Sequence, residues 1–146
     1  MDAENYCIAG RLRMLSRIMT SLYNQAFEDE DVTLPQAGLL MYIFAQPGIR
    51  QVALGQMLHI EKSGMNRELQ LLQRNGWLTD NLKQGLFLTE EGRIKAKRCH
   101  KIWKALNLNM REQLGTEALS GLNTLSGQIF ELAQTTRTNN QQTDTE

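Results

Sequence analysis

Asn66 and Gln70 stand four residues apart, and an asparagine or glutamine amide can pair with both N6 and N7 of adenine in the major groove of duplex DNA. Arg67, between them, suits guanine or a phosphate. Four-residue spacing puts Asn66 and Gln70 on one face of a helix. A reading helix enters the groove N-terminus first, so Lys62, Ser63 and Gly64 join them as candidate contacts. Met65, Leu69 and Leu72 fall on the opposite side, where a small core would lie. Arg50 and Gln51, ahead of the preceding segment, suit phosphate contacts that set register rather than sequence. Arg74 lies further along, at the helix exit, and reads as a solvated cation. Taken singly, each of these is an ordinary exposed polar residue.

Other chemistry finds little support. There are no paired carboxylates with a cleft signature, no Ser/His/Asp grouping and no phosphate-binding glycine loop, so the chain is not expected to be an enzyme. His59 and His100 stand in a turn and on a basic helix face. Cys7 and Cys99 form neither a disulfide framework nor a metal-binding cluster, and no cofactor or metal is expected. The longest apolar stretch, Gly38 to Ala45, is too short to span a bilayer, and the acidic start lacks the order of a signal peptide; a cytoplasmic protein is expected. The net charge of zero hides a split: from Arg50 to Lys104 eleven bases face five acids, so a segment of net +6 is flanked by ends that together carry −6. Such a split suits a protein that docks one surface on phosphates, although the dense run from Arg93 to Lys104 reads equally well as a solvated helix face.

Helices must position these residues. Ile8, Leu12, Leu15, Met19, Leu22 and Ala26 recur at three- and four-residue steps, predicting a helix over 5–27 that stops at the acidic run Glu28–Asp31. Thr33-Leu34-Pro35-Gln36 combines a capping threonine, a glutamine three residues on and a proline in the first turn. The continuous apolar run that follows, to Ala45, predicts a helix buried on most sides, stopped by Gln46-Pro47-Gly48. Two short helices come next, about 51–58 and 61–75, joined through His59-Ile60 and closed by Gly76; they form a helix-turn-helix pattern. Gly55 allows the two to approach, and His59 tolerates the left-handed turn conformation. Trp77–Asn81 and Leu86–Thr89 read as strands of a small hairpin about Lys83-Gln84-Gly85. Thr89-Glu90-Glu91-Gly92 opens a long helix that Gly115 breaks, and a last helix covers about 116–134. The segment 135–146 has no large apolar residue and is expected to be a disordered polar tail.

This order resembles the multiple-antibiotic-resistance regulator (MarR) family of winged-helix transcription factors. The resemblance covers roughly Ile8 to Ala133. It is carried by Thr33–Gln36, by Ile60-Glu61-Lys62-Ser63-Gly64-Met65-Asn66-Arg67, by Leu72-Gln73-Arg74-Asn75-Gly76-Trp77-Leu78 and by Leu88-Thr89-Glu90-Glu91-Gly92, in that order. It implies a mainly α fold with a small β-hairpin, a single domain over 1–134. Dimerisation helices at 5–27 and 116–134 would flank a winged-helix lobe at about 34–92 and a connecting helix at about 90–114. The implied function is sequence-specific binding of double-stranded DNA by a homodimeric, ligand-responsive transcriptional repressor. The broad apolar stripes at both chain ends also point to a second copy, the bland alternative being that they pack within one subunit. Together, at matching family positions, the polar residues named above favour DNA.

Two departures stand out. Family wings carry an Asp-Arg-type tip, whereas this one offers a single base, Lys83, and Glu68 adds a charge where the family is usually apolar. A shortened wing implies phosphate contact by Lys83 at most, and leaves a dimeric protein-interaction module with weak or no DNA binding as the alternative. The resemblance also implies a site for a small aromatic effector, which Met14, Tyr23, Met41, Tyr42, Phe44 and Trp103 could line; such residues at helical spacing are more often plain core. Cys7, near the start of the first helix, is the candidate for redox sensing, with Asp2 and Glu4 opposing a thiolate there.

Overall fold

The structure, a computed structural model, describes residues 7–143, with side chains described through residue 135. Five α-helices are present among the described residues: α1 (Ile8–Ala26), α2 (Leu34–Ala45), α3 (Gln51–Leu58), α4 (Lys62–Arg74) and α5 (Glu90–Thr143). By its contacts the chain divides into two units, residues 1–106 and 107–146.

In the first unit, each helix begins and ends where its residues dictate. Thr33 caps α2: its hydroxyl accepts from the Gln36 backbone N–H at 3.4 Å, and the Gln36 side chain accepts from the Thr33 N–H at 3.1 Å. The Leu34 N–H donates to Asn24 Oδ1 at 2.6 Å, which ties the start of α2 to α1. Such a reciprocal cap satisfies two backbone donors that would otherwise be orphaned. Between α3 and α4, His59 adopts φ 53° and ψ 39°, the left-handed turn the sequence predicts. A Cβ at Gly55 would come within 3.2 Å of the Ile60 carbonyl oxygen in that turn and 3.9 Å of Met65 Cε on the facing α4. At the exit of α4, Gly76 (φ 73°) lets the Trp77 N–H reach the Leu72 carbonyl at 2.9 Å, closing the helix. Thr89 then serves two elements: its hydroxyl donates to the Gly76 carbonyl at 2.6 Å and accepts from the Gly92 N–H at 3.0 Å, capping α5.

The core of this unit joins Phe27, Leu39, Leu40, Ile43, Leu54, Met65, Leu69, Leu72 and Leu86, all fully buried. α2 contributes much of it, yet Tyr42 and Phe44 near its C-terminal end are exposed, so the expected burial on most sides fails there. Lys95 fastens α5 to the turn after α1. Its ammonium donates to the Glu30 carbonyl (2.9 Å) and carboxylate (3.0 Å) and lies over the Trp77 ring at 5.3 Å. Arg98 approaches the same carboxylate at 3.8 Å. Two of the bases in the expected phosphate-docking run are thus committed to structure.

The hairpin is the main correction. No strand forms among the described residues; the wing consists of two isolated antiparallel bridges, Leu78 with Leu88 and Ile49 with Leu86, around a 3-10 turn at Leu82–Gln84. A two-stranded ribbon this short is marginal on its own. Here the returning segment instead splits its pairing between Leu78 and the residue ahead of α3. Gly85 permits this, because a Cβ at that position would collide with the Gly48 backbone.

Cys99 is fully buried in this unit, and burial together with the Glu30 carboxylate raises its pKa to about 11. The folded state therefore holds the thiol proton after the unfolded chain has lost it. From about pH 9 upward, stability should fall, with a slope from this group approaching about 1.4 kcal/mol per pH unit until about pH 11. Denaturation of wild type and Cys99→Ala at pH 8, 9.5 and 10.5 checks this: the difference between them should shrink or invert as pH rises. Equal pH dependence in both would contradict it.

In the second unit, Gly115 adopts φ 77° and ψ 169° and interrupts the helical course of α5 where the sequence places a break. Beyond it Leu122, Leu125, Ile129, Phe130 and Leu132 are all exposed. The backbone is helical through Thr143, past the boundary expected at residue 135. Extending a formed helix is cheap compared with nucleating one, which is why polar composition alone misplaces the end. Residues 144–146 of the expected tail, and Asn5 and Tyr6 at the expected start of the first helix, lie outside the described residues.

Candidate nucleic-acid interface

α4 separates its two faces sharply. Met65, Leu69 and Leu72 are at most 1% exposed and belong to the core, whereas Lys62, Ser63, Asn66, Arg67 and Gln70 are all exposed. Gly64 is half-buried, its Cα facing the Ile60 side chain. The N-terminus of α4 begins this face, so unsatisfied backbone N–H groups and the positive end of the helix dipole lie beside Lys62. Such an end attracts phosphate as well as presenting side chains.

Arg50 is exposed immediately before α3, and Gln51 is its first residue. The Gln51 Nε2 donates to Asn66 Oδ1. Nothing in the sequence signals this pairing across fifteen residues. Gln73 is a second residue missed by sequence reasoning; its amide donates to the carbonyls of Thr79 (3.2 Å) and Asp80 (3.4 Å), pinning the root of the wing to α4. Lys83 is exposed in the 3-10 turn beyond it. Glu68 is half-buried on the flank of α4 rather than on the exposed face.

The six candidate effector residues are not gathered into one site. Tyr23, Met41 and Trp103 pack against the core, Met14 and Tyr42 are exposed, and Phe44 lines a cavity. That cavity, of about 250 Å³, is otherwise formed by Ile43, Pro47, Phe87, Leu88 and Arg93, with Lys97 over the Phe44 ring at 5.8 Å. Cys7 is exposed at the start of α1 and makes no capping hydrogen bond through its side chain. No group of three or more metal-ligating side chains gathers among the described residues. Nor, among them, is any helix long and apolar enough to cross a membrane.

A helix-turn-helix whose second helix is apolar behind and polar in front, followed by a short wing, defines a winged-helix lobe. Residues 30–82 match the model of the MarR family. A curated relative, an uncharacterized HTH-type transcriptional regulator, YybA, from Bacillus subtilis, is 30% identical over 92 residues, covering 59% of this chain and 61% of its own. The match thus spans about three fifths of that relative's length. Among solved structures, a mutant MarR from E. coli complexed with operator DNA is 25% identical (TM-score 0.71; 88% of this chain, 99% of that one). The S. aureus MepR–DNA complex is 20% identical (TM-score 0.74; 90% and 99%). The repressor CouR bound to p-coumaroyl-CoA shares the fold at 20% identity (TM-score 0.75; 86% and 92%).

Proposed function

We propose that this protein is a sequence-specific, duplex-DNA-binding transcriptional regulator that acts as a homodimer and reads the major groove with α4. The observation that carries this reading is the continuous exposed face of Lys62, Ser63, Asn66, Arg67 and Gln70, held rigidly from behind by Met65, Leu69 and Leu72. The likeness to MarR complexed with operator DNA supports it. Arg50 and Lys83 flank the face as phosphate contacts, and the short wing gives Lys83 no minor-groove role. It is a binding protein rather than a catalyst, and it works in the cytoplasm.

A second copy of the chain completes the unit. No residue of α1 is buried, and Ile8, Met14, Leu15, Ile18 and Leu22 leave it with an exposed apolar stripe. The second unit carries a similar stripe, from Leu122 to Leu132. Apolar faces of this length on a soluble chain mark association surfaces. A two-fold dimer would set two copies of α4 against two half-sites. Response to a small aromatic effector belongs to the same reading, and the cavity at Phe44 is the place for it; the p-coumaroyl-CoA complex of CouR supports that class.

Anisotropy titration of labelled duplex at several salt concentrations tests the reading. Affinity should fall steeply as salt rises, and Lys62→Ala should weaken binding at every sequence while lowering the salt slope by about one. Salt-independent binding, or a slope unchanged by the substitution, would count against phosphate docking at the start of α4.

A further inference from the structure

We propose that the cavity at Phe44 and the face of α5 beside it form one site for an aromatic or short acyl group carried on a phosphorylated tail. This rests on the reading of that cavity as the effector site. The cavity is small, about 250 Å³, and much of its wall is apolar: Ile43, Phe44, Pro47, Phe87 and Leu88. Pockets that bury most of a drug-sized ligand start at about 300 Å³. This one houses a single ring or a short chain, so a larger ligand leaves its remainder outside. Phe44 and Phe87 line it yet stay exposed, which is apolar surface that an inserted group would cover.

What lies beside the cavity is cationic. Arg93 completes its lining, and the Lys97 ammonium stands 5.8 Å from the centre of the Phe44 ring. Lys101 and Lys104 continue the row at four- and three-residue steps, along one face of α5 about 16 Å long by the helical rise. All four cations are exposed. Lys95 and Arg98, the other bases of this run, turn to Glu30. Among the described residues no carboxylate pairs with Arg93, Lys97, Lys101 or Lys104. No acid occurs on α5 between Glu91 and Glu112. Like charges one turn apart repel, so an anion lying along the row relieves it. A lone carboxylate answers the cations nearest the cavity, whereas a tail bearing several phosphates answers the whole row.

Isothermal titration calorimetry of the full chain with benzoyl-coenzyme A, butyryl-coenzyme A, coenzyme A and benzoate tests this. At least one thioester is expected to bind about tenfold or more tightly than coenzyme A or benzoate, with an affinity that falls as salt rises. Lys101→Ala/Lys104→Ala changes two exposed positions and leaves the core intact. It should weaken the thioester about fivefold and leave benzoate and duplex DNA unaffected. Phe44→Ala should weaken the thioester and benzoate alike, and thioester binding indifferent to it would place the ligand elsewhere and overturn the proposal. Coenzyme A binding as tightly as the thioesters would mean that charge alone acts, and overturns it too. Benzoate binding as tightly as the thioesters overturns the phosphorylated class while leaving the cavity an effector site. A lysine double variant that loses duplex rather than thioester affinity assigns the row to DNA and likewise overturns it. Binding of none of the four overturns both the proposal and the effector reading of the cavity.

Discussion

Replacing Asn66 and Arg67 together by alanine is expected to weaken binding to a selected duplex about a hundredfold or more at fixed salt. Each well-placed polar pairing with a base edge contributes about 1–3 kcal/mol of discrimination, and both side chains stand exposed on α4 with no share in the core. Binding to unrelated duplex should fall much less, by the share that Arg67 gives to phosphate. Thermal stability should be nearly unchanged, since surface substitutions of this kind usually stay within about 0.5 kcal/mol. Anisotropy on selected and scrambled duplexes, alongside a melting curve, separates these effects. Equal loss on both duplexes would make the face a phosphate anchor rather than a reader.

Leu69→Ala should have its large effect on the other ledger, the fold. Leu69 is fully buried within the core that α4 shares with α2. Truncating a buried leucine removes its transfer energy and leaves a cavity, together about 2–5 kcal/mol. Gln70→Ala, one residue further and exposed, should cost about 0.5 kcal/mol or less. Denaturant unfolding of the two variants makes the comparison. Their inversion, with Gln70→Ala the more damaging, would mean that the helix is rotated from the orientation described here.

That contrast between neighbours explains why so much of α4 was legible beforehand. Burial at 65, 69 and 72 follows the helical period, and the polar face is what remains, so a local pattern sufficed. Caps were readable for the same reason: Thr33 with Gln36, Thr89 with Gly92, and the left-handed positions at His59, Gly76 and Gly115 all depend on residues within a turn of one another. The wing was not readable in this way. Its residues are strand formers, but whether Leu86 pairs with a hairpin partner or with Ile49 depends on a backbone approach at Gly48 that no local signal records. Lys95 illustrates the same limit: it reads as one more base in a cationic run, yet its partner Glu30 lies 65 residues away. The effector residues are ambiguous in the sequence for a simpler reason. Aromatic and methionine side chains at helical spacing describe core as well as cavity, and here Tyr23, Met41 and Trp103 went to the core.

The central claim is that the exposed face of α4 reads duplex sequence in two symmetric copies. Selection from a randomised duplex pool, followed by sequencing, tests it most directly. The expected result is an inverted repeat whose half-sites are centred about one helical turn apart, or a multiple of it, and whose enrichment disappears in the Asn66→Ala/Arg67→Ala variant. A pool left unenriched by wild type, or enriched equally by the variant, would contradict the claim and make this lobe a module for binding another protein.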